Sequence, residues 1–373
     1  MNSIPLSLYI HIPWCIKKCP YCDFNSHVAR QELPEAQYLN ALVTDFKQQL
    51  SYLQHRLIKT IFIGGGTPSL MPAHFYQQLL AEIHPYLVKN AEITLEANPG
   101  VIDSKHFSGY KKAGINRLSL GIQSLQTQKL KYLGRMHSNT DALRAIQLIT
   151  DCGFTNFNCD LMFGLPQQSI TEALTDLQQV LKQKPTHLSW YQLTIEPNTH
   201  FYRRPPILPA SDYIFEMQQQ GQRVLADHGF QQYEISAYAH AQKQCQHNLN
   251  YWQFGDYIGI GAGAHGKITL GDGKIIRTEH VKSPKLYMHT AACVKQHTVN
   301  PDHYLFEFML NALRLYQPIT FTHITERCGL SRTDVLNALQ KPIADQLMNY
   351  DKEALHLTSR GQWFIDDILV TLT

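Results

Sequence analysis

Cysteine is scarce in this chain, and long apolar runs and a large excess of one charge are missing. Its 373 residues contain eight cysteines, a density too low for a disulfide scaffold and more typical of a reducing compartment. The formal net charge of +3 is too small to indicate a nucleic-acid partner or a membrane surface. No stretch approaches the ~18 apolar residues of a membrane span, and the N-terminal segment lacks a signal-peptide pattern. We therefore expect a soluble, cytoplasmic protein without a nucleic-acid partner.

Short apolar segments alternate with longer helical patterns over the first 230 residues. The pattern predicts strands, each followed by a helix, at residues 6–12, 60–66, 92–99, 117–124, 157–166 and 187–195. Consecutive βα units favour a parallel sheet. Because the pattern stops after six units, a partial (βα)6, TIM-like barrel fits better than a closed eightfold barrel. The predicted fold class is α/β.

Two further regions follow the predicted barrel, which spans residues 1–230. Residues 231–295 form a glycine-rich extension that carries the segment HNLNYW, and residues 301–373 form the second region. The pattern of the second region predicts a helix–turn–helix followed by a short hairpin, which is a small α+β, winged-helix-like module.

A winged-helix-like module can bind DNA, so the charge of its second helical segment matters. In residues 331–347, Arg332 and Lys341 are balanced by Asp334 and Asp345. This weakly basic segment favours a packing or docking role over DNA binding.

Three of the eight cysteines cluster directly after the first predicted strand, in the loop 11–24. They are Cys15, Cys19 and Cys22. Ligands bind at the carboxyl ends of barrel strands, where this loop begins. Thiolates are the preferred ligands of iron–sulfur clusters, and a [4Fe–4S] cluster normally takes four of them. Three thiolates would leave one iron open for an exogenous ligand.

Two other interpretations of the three cysteines stay open at this point. One is a mononuclear zinc site with His11 or Asp23 as the fourth ligand, although the CxxxCxxC spacing differs from the paired CxxC of zinc ribbons. The other is a chance cluster of unrelated core cysteines.

Other predicted strands also end in residues with binding potential. The segment GGGTP, residues 64–68, would let a ligand approach the backbone closely, or it is simply a tight βα turn. Glu96, Gln123, Arg135 and Asp160 lie at or after later strands. Each could be an ordinary surface residue. Together they would place acidic, amide and basic groups around one barrel mouth, a set suited to a zwitterionic amino acid joined to a nucleoside.

CxxxCxxC with an aromatic residue before its last cysteine, followed by GGGTP after the second strand, resembles the radical S-adenosylmethionine (SAM) superfamily. The resemblance implies a [4Fe–4S] cluster whose open iron is chelated by SAM, and cleavage of SAM to a 5′-deoxyadenosyl radical, chemistry that belongs to the cofactor. It also implies that the SAM site includes Tyr9, Tyr21, Gly65, Gly66, Thr67, Glu96, Gln123, Arg135 and Asp160.

Several segments, among them LGIQS, LGRMH and DLMFGLP, resemble the oxygen-independent coproporphyrinogen III oxidase branch along essentially the full chain. Two departures separate the chain from the oxidases themselves. The oxidase pattern is CxxxCxxCxC, whereas Phe24 occupies the last position here, and the oxidases carry an extension before the cluster loop. Both departures match the heme chaperone relatives of the oxidases, which carry CxxxCxxCxF and HNxxYW.

His247 opens the segment HNLNYW and is the candidate heme ligand. Its imidazole could bind heme iron, with Tyr251 and Trp252 beside the porphyrin. The residues alone favour a structural histidine, whereas the resemblance favours the ligand. His265 and Cys245 are second choices.

The resemblance implies a heme chaperone that binds heme and passes it to acceptor hemoproteins, with membrane respiratory enzymes as candidate acceptors. Such a protein would be cytoplasmic and peripheral at the membrane during transfer, with a flavodoxin or ferredoxin as electron donor and a homodimer as one possible assembly. The alternatives are a radical-SAM decarboxylase of coproporphyrinogen III and a radical-SAM enzyme of another substrate class. Whether SAM is cleaved productively is left open by the sequence.

Overall fold

The computed structural model describes residues 4–101, 104–290 and 294–372. Over the first 230 residues strands and helices alternate as the sequence predicts. The elements are β1 (Leu6–Ile12), β2 (Trp14–Cys15), β3 (His27–Val28), α1 (Glu35–Gln48), β4 (Ile58–Gly65), α2 (Ala73–Ile83), β5 (Leu87–Ala97), α3 (Ser104–Lys112), β6 (Arg117–Gln123), α4 (Thr127–Tyr132), α5 (Asn139–Asp151), β7 (Phe157–Phe163), α6 (Ile170–Leu181), β8 (His187–Gln192), α7 (His200–Arg203) and α8 (Ser211–Asp227).

Six parallel strands form the centre of one large sheet. Their order is β1-β4-β5-β6-β7-β8, so each strand lies beside the next one of the sequence. Neighbouring residues along a strand point to opposite faces. One face packs under the helices in the main hydrophobic core, and the other lines the barrel interior. The α/β partial barrel is confirmed.

The extension continues this sheet at both edges. Its elements are β9 (Gln231–Glu234), β10 (Ala237–Ala239), α9 (Gln246–Trp252), β11 (Asp256–Ile260), β12 (His265–Thr269), β13 (Ile275–Glu279), α10 (Pro284–Thr290) and β14 (Lys295–Thr298). β10 and β9 follow β8, whereas β11 pairs in parallel with β1 and is followed by β12, β13 and β14. The extension is thus part of a twelve-stranded sheet, and its separation as a domain of its own remains a proposal.

The C-terminal module has a core of its own. Its elements are α11 (Tyr304–Ala312), β15 (Ile319–Thr320), α12 (Phe321–Cys328), α13 (Arg332–Ala338), α14 (Gln340–Ala344), β16 (Met348–Tyr350), β17 (Ala354–Leu357) and α15 (Ile365–Val370). The strands form a small antiparallel sheet in the order β15-β17-β16. Phe254 and Ile275 of the extension join the module's hydrophobic core, which fixes the module against the sheet. Within the described ranges, no helix is long and apolar enough to cross a membrane.

Candidate functional site

A cavity of about 410 Å³ opens at the carboxyl ends of the parallel strands. The loop between β1 and α1 supplies the three clustered cysteines to its wall, and β4 to β8 with the segments that follow them supply most of the rest. Eight of the nine residues that the sequence places in a SAM site line it: Tyr21, Gly65, Gly66, Thr67, Glu96, Gln123, Arg135 and Asp160. The ninth, Tyr9, is not among the described lining residues.

The three thiols lie in different surroundings along one wall of the cavity. Cys15 is buried on β2 and its Sγ accepts a hydrogen bond from the Thr67 hydroxyl at 3.5 Å. Cys19 accepts from a guanidinium nitrogen of Arg135 at 3.8 Å, and Cys22 Sγ lies 3.9 Å from the Ser26 hydroxyl. Burial raises the pKa of the Cys15 and Cys22 thiols. Polar donors around the sulfurs suit thiolate ligands of a cluster.

His11 does not act as the fourth ligand that the zinc interpretation needs, because both of its ring nitrogens are engaged. Nδ1 lies 2.9 Å from the Tyr9 hydroxyl, and Nε2 lies 2.9 Å from the Asn25 carbonyl oxygen. The Tyr9 ring stacks on Phe62, with 6.5 Å between centroids. Tyr9 therefore supports the cysteine loop from the barrel interior through His11.

Asn25 ties the end of the cysteine loop to the glycine-rich extension. Its side-chain amide donates to the carbonyl oxygens of Ala262 at 2.8 Å and Lys282 at 2.9 Å. Gly263 has φ of +79°, and a Cβ there would lie 2.5 Å from the Asn25 amide nitrogen. Sequence reasoning missed this anchor because its two sides are more than 230 residues apart.

The GGGTP turn packs directly on the cysteine loop. The backbone N–H groups of Gly66 and Thr67 donate to the carbonyl oxygens of Ile12 and Trp14, each at 2.7 Å. A Cβ on Gly66 would lie 2.5 Å from the Trp14 oxygen. Gly65 has φ of +114°, in the region that favours glycine. Both glycines are therefore needed for the close approach of the two loops.

Two carboxyl groups, those of Glu96 and Asp160, line the cavity and influence each other electrostatically. Glu96 accepts a hydrogen bond from the Gly65 N–H at 3.1 Å, and burial beside Asp160 raises the pKa of Glu96 to about 8. Asp160 accepts from the Asn158 amide at 2.7 Å and the Ser119 hydroxyl at 3.2 Å, and burial raises its pKa as well. Glu96 is therefore mostly protonated at neutral pH, and a cationic ligand would favour its ionisation.

A cation and an amide complete the polar lining. Arg135 donates to the Gly121 carbonyl oxygen and to Cys19, while its buried Nε has no hydrogen-bond partner among the described residues. Gln123 has a φ of +69°, an uncommon value for a residue with a side chain, and accepts from the Tyr191 hydroxyl at 2.8 Å. The unpartnered Nε leaves Arg135 able to donate to a carboxylate.

Sequence reasoning missed several cavity residues, of which Tyr191 is the clearest. Tyr191 lies on β8, two residues after Ser189, and both line the cavity. The sequence does contain a signal for Tyr191. Side chains alternate between the two faces of a strand, so Ser189 and Tyr191 lie on the same face of β8, the one that points into the barrel. Ser236, between β9 and β10, also lines the cavity and carries no comparable pattern.

His247 lies at the opposite end of the barrel interior. It is 8% exposed, its Nδ1 lies 3.0 Å from the Thr60 hydroxyl, and its ring packs 5.2 Å from that of Phe62. Thr60 and Gly65 are five residues apart on β4, which corresponds to ~16 Å of strand. The cavity and His247 are therefore separate, and α9 closes the barrel floor.

Burial keeps the His247 imidazole neutral, with its pKa lowered to about 3. The backbone N–H groups of Gln246 and His247 donate to one oxygen of Glu92, at 2.9 and 3.2 Å. The second-choice residues differ: Cys245 is buried with its thiol pKa raised to about 12, whereas His265 is exposed at the start of β12.

Comparisons with known proteins cover the whole chain. Residues 9–180 match the family model of the radical SAM superfamily, and residues 299–364 match that of the HemN C-terminal domain. The heme chaperone HemW of Escherichia coli (strain K12) is 47% identical over 367 residues, covering 98% of this chain and 97% of that protein. The heme chaperone HemW of Bacillus subtilis (strain 168) is 33% identical over 369 residues, covering 95% and 96%.

A solved structure supports the fold. Coproporphyrinogen III oxidase (HemN) from Escherichia coli, described as a radical SAM enzyme, superimposes with a TM-score of 0.83 at 23% identity, covering 100% of this chain and 91% of that one. At this identity the likeness establishes the architecture alone. The sequence identities to full-length relatives establish the family as well. The chain belongs to the heme chaperone HemW family of the radical SAM superfamily.

Proposed function

We propose that this protein is a heme chaperone that binds heme and transfers it to acceptor hemoproteins, and that it carries a [4Fe–4S] cluster with exchangeable SAM. The observation that carries the proposal is the full-length identity of 47% and 45% to two proteins named heme chaperone HemW. The geometry supports it in two places: the cysteine-lined cavity and the helix α9 that bears His247.

In this proposal Cys15, Cys19 and Cys22 would hold the cluster, which when reduced would supply the electron for SAM cleavage. The chain's own residues hold SAM. Gly65, Gly66 and Thr67 would contact the methionine amino end, while Tyr21, Glu96, Gln123, Arg135 and Asp160 would bind the remainder. Tyr9 would act from behind the loop through His11.

His247 is the proposed ligand of heme iron. A neutral imidazole is the form that binds iron, and burial keeps His247 in that form. The ring is enclosed in the barrel floor, so iron reaches it only when α9 leaves that position. Hydrogen bonds that hold α9 involve Glu92 at its N-terminus, Thr60 on His247, and Ser7, whose hydroxyl accepts from the Asn250 amide at 2.8 Å. Ring contacts of Tyr251 with Tyr257 and of Trp252 with Arg314 add to them.

The electron donor would bind at a basic groove beside the cysteines. This groove, of about 580 Å³, is lined by Cys19, Cys22, Lys17, Lys18, Lys131, His200 and Arg203, with no Asp or Glu among its described lining residues. A small acidic redox protein such as a flavodoxin or ferredoxin complements this charge and would approach the cluster through it. We place the protein in the cytoplasm, peripheral at the membrane when the acceptor is a membrane respiratory enzyme.

Hemin titration of the anaerobically reconstituted protein tests heme binding. The wild type should develop a Soret band that weakens strongly in His247→Ala. The matched control is His228→Ala, because His228 is exposed after α8. Equal Soret bands in wild type and His247→Ala would overturn His247 as the ligand, and no band in the wild type would overturn the chaperone proposal.

A second assay, decarboxylation of coproporphyrinogen III, distinguishes the chaperone from the oxidase alternative. Phe24, where the oxidases have a cysteine, is 57% exposed and lines the cavity. With coproporphyrinogen III, SAM and a reductant, we expect no protoporphyrinogen. Robust decarboxylation would restore the oxidase assignment.

A further inference from the structure

A second cavity, of about 520 Å³, lies where the C-terminal module meets the end of α9. It is far from the cysteines in the sequence, and none of the residues assigned so far lines it. Leu315, Pro318 and Ile319 lie among its apolar lining residues, and Gln253, His323 and Arg327 among its polar ones. The walls are largely apolar and contain no carboxylate among the described residues.

Arg327 is the feature of this cavity that needs an explanation. The residue is 7% exposed, and its guanidinium makes one long hydrogen bond, from Nε to the Gln253 carbonyl oxygen at 3.4 Å. No carboxylate lies within ion-pair distance of it among the described residues. Glu326 and Asp256 favour its charge only from beyond that distance. Buried cations are costly, so proteins normally pair them directly.

Two neighbouring cations follow that rule, and a third, Arg314, lies 4.4 Å over the Trp252 ring. Lys267 lies 3.0 Å from Asp256, and Arg277 lies 2.6 Å from Glu307. Arg327 is the exception on the cavity wall, with its terminal nitrogens free to donate to a ligand. A guanidinium is the side chain best matched to a carboxylate, which it binds through two parallel hydrogen bonds.

His323 lies one helical turn before Arg327 and defines the polar side of the cavity. Its Nε2 lies 2.9 Å from the same Gln253 carbonyl oxygen. Burial and the Arg327 charge lower the pKa of His323, so its ring adds no second positive charge at neutral pH. The cavity therefore offers one cation, a neutral imidazole and apolar walls, which suits an apolar ligand with a carboxylate.

We propose that this cavity binds the propionate-bearing edge of heme, with Arg327 donating to a propionate and Leu315, Pro318 and Ile319 contacting the porphyrin. The proposal rests on the proposed heme chaperone function and adds a second contact site to it. Gln253 directly follows α9, so the cavity adjoins the helix that bears His247. A propionate that replaced Gln253 as the acceptor for Arg327 would also weaken the hold of α12 on the end of α9.

A comparison of two probes tests this assignment on the reconstituted full chain. Hemin and its dimethyl ester are titrated into wild type, Arg327→Gln and the control Arg332→Gln, which changes an exposed arginine of the same module. We expect Arg327→Gln to raise the Kd for hemin about tenfold and to leave the Kd for the ester unchanged, because the ester has no carboxylate. Arg332→Gln should leave both unchanged.

The outcomes separate this inference from the function on which it rests. An equal loss for both probes would mean that Arg327 acts only by holding Gln253, and no loss for either would mean that propionate binds elsewhere; both overturn the inference while heme binding stands. Failure of the wild type to bind hemin would overturn both. Thermal unfolding checks that each variant is folded. If Arg327→Gln is unstable, Arg327→Lys replaces it; this variant keeps the positive charge, so its affinity for hemin should fall less than that of Arg327→Gln.

Discussion

Nδ1 of His247 lies 3.0 Å from the hydroxyl of Thr60, inside the floor of the barrel. The Thr60 hydroxyl donates to Ser7 Oγ, at 2.8 Å, so the imidazole N–H is the donor toward Thr60. Nε2 is therefore the nitrogen left to bind heme iron, while the Thr60 contact orients the ring and helps to hold α9, which buries it, in the docked position.

Thr60→Val should make heme binding by His247 faster. The substitution leaves the buried imidazole N–H without an acceptor, which costs about 1–3 kcal/mol in the docked position of α9. A cost of ~1.4 kcal/mol increases the undocked population about tenfold, so stopped-flow hemin association should accelerate by a similar factor. Thr94→Val is the matched control, since the buried Thr94 hydroxyl has no hydrogen-bond partner among the described residues. An unchanged rate in Thr60→Val would show that α9 does not control access.

The free energy of unfolding of the cluster-free protein should fall as the pH rises, because of the raised pKa of Glu96. Its pKa is about 8 in the folded protein and near 4.3 in an unfolded chain, so the folded state holds a proton that the unfolded state has lost. This contribution is fully present below the unfolded pKa and disappears as pH rises through about 8. Urea unfolding across that range should show the decline, and Glu96→Gln should flatten it. A control at the exposed Glu326, Glu326→Gln, should keep the wild-type slope; the same slope in Glu96→Gln would contradict the prediction.

Asn25→Ala should loosen the cysteine loop without removing a proposed ligand. The variant loses two hydrogen bonds from Asn25 to the extension, worth about 1–3 kcal/mol together. We expect faster loss of the reconstituted cluster to an iron chelator, followed by absorbance, while the initial iron content stays the same. Asn349→Ala, at an exposed position of β16, should behave as wild type. If Asn25→Ala keeps its cluster as long as the control, the extension does not stabilise the loop.

Charge reversal in the basic groove should slow reduction by a protein donor only. Lys17→Glu combined with Lys131→Glu changes two exposed cations of the groove and should lower the rate of cluster reduction by an acidic flavodoxin about tenfold or more at low salt. Reduction by dithionite should be unaffected, because it needs no docking surface. Lys274→Glu, on the turn between β12 and β13, is the control. Equal slowing with both reductants would point to a damaged cluster site instead.

Much of the cavity could be predicted because its signals are local in sequence. The cysteine spacing and GGGTP lie in single loops, and the inward positions of parallel strands follow a period of two. Gln123 and Asp160 needed only the rule that strand ends meet at one edge. Tyr191 obeys the same period, although its partner Gln123 is 68 positions away.

The rest depends on contacts between distant segments. The amino-acid sequence of β11 does not predict that this strand pairs with β1, where Leu6 lies opposite Asp256. HNLNYW is polar and short, so its pattern does not show that His247 packs into the barrel floor beside Phe62. The buried Arg327 likewise stands in a segment that reads as an ordinary amphipathic helix.

The most direct test of the account is the kinetics of heme transfer. The heme-loaded protein is mixed with an apo-hemoprotein acceptor, and the shift of the Soret band is followed at increasing acceptor concentration. A chaperone hands heme over within a complex, so we predict a transfer rate that rises with acceptor concentration before saturating. A rate that is independent of acceptor and equal to simple heme dissociation would contradict the account.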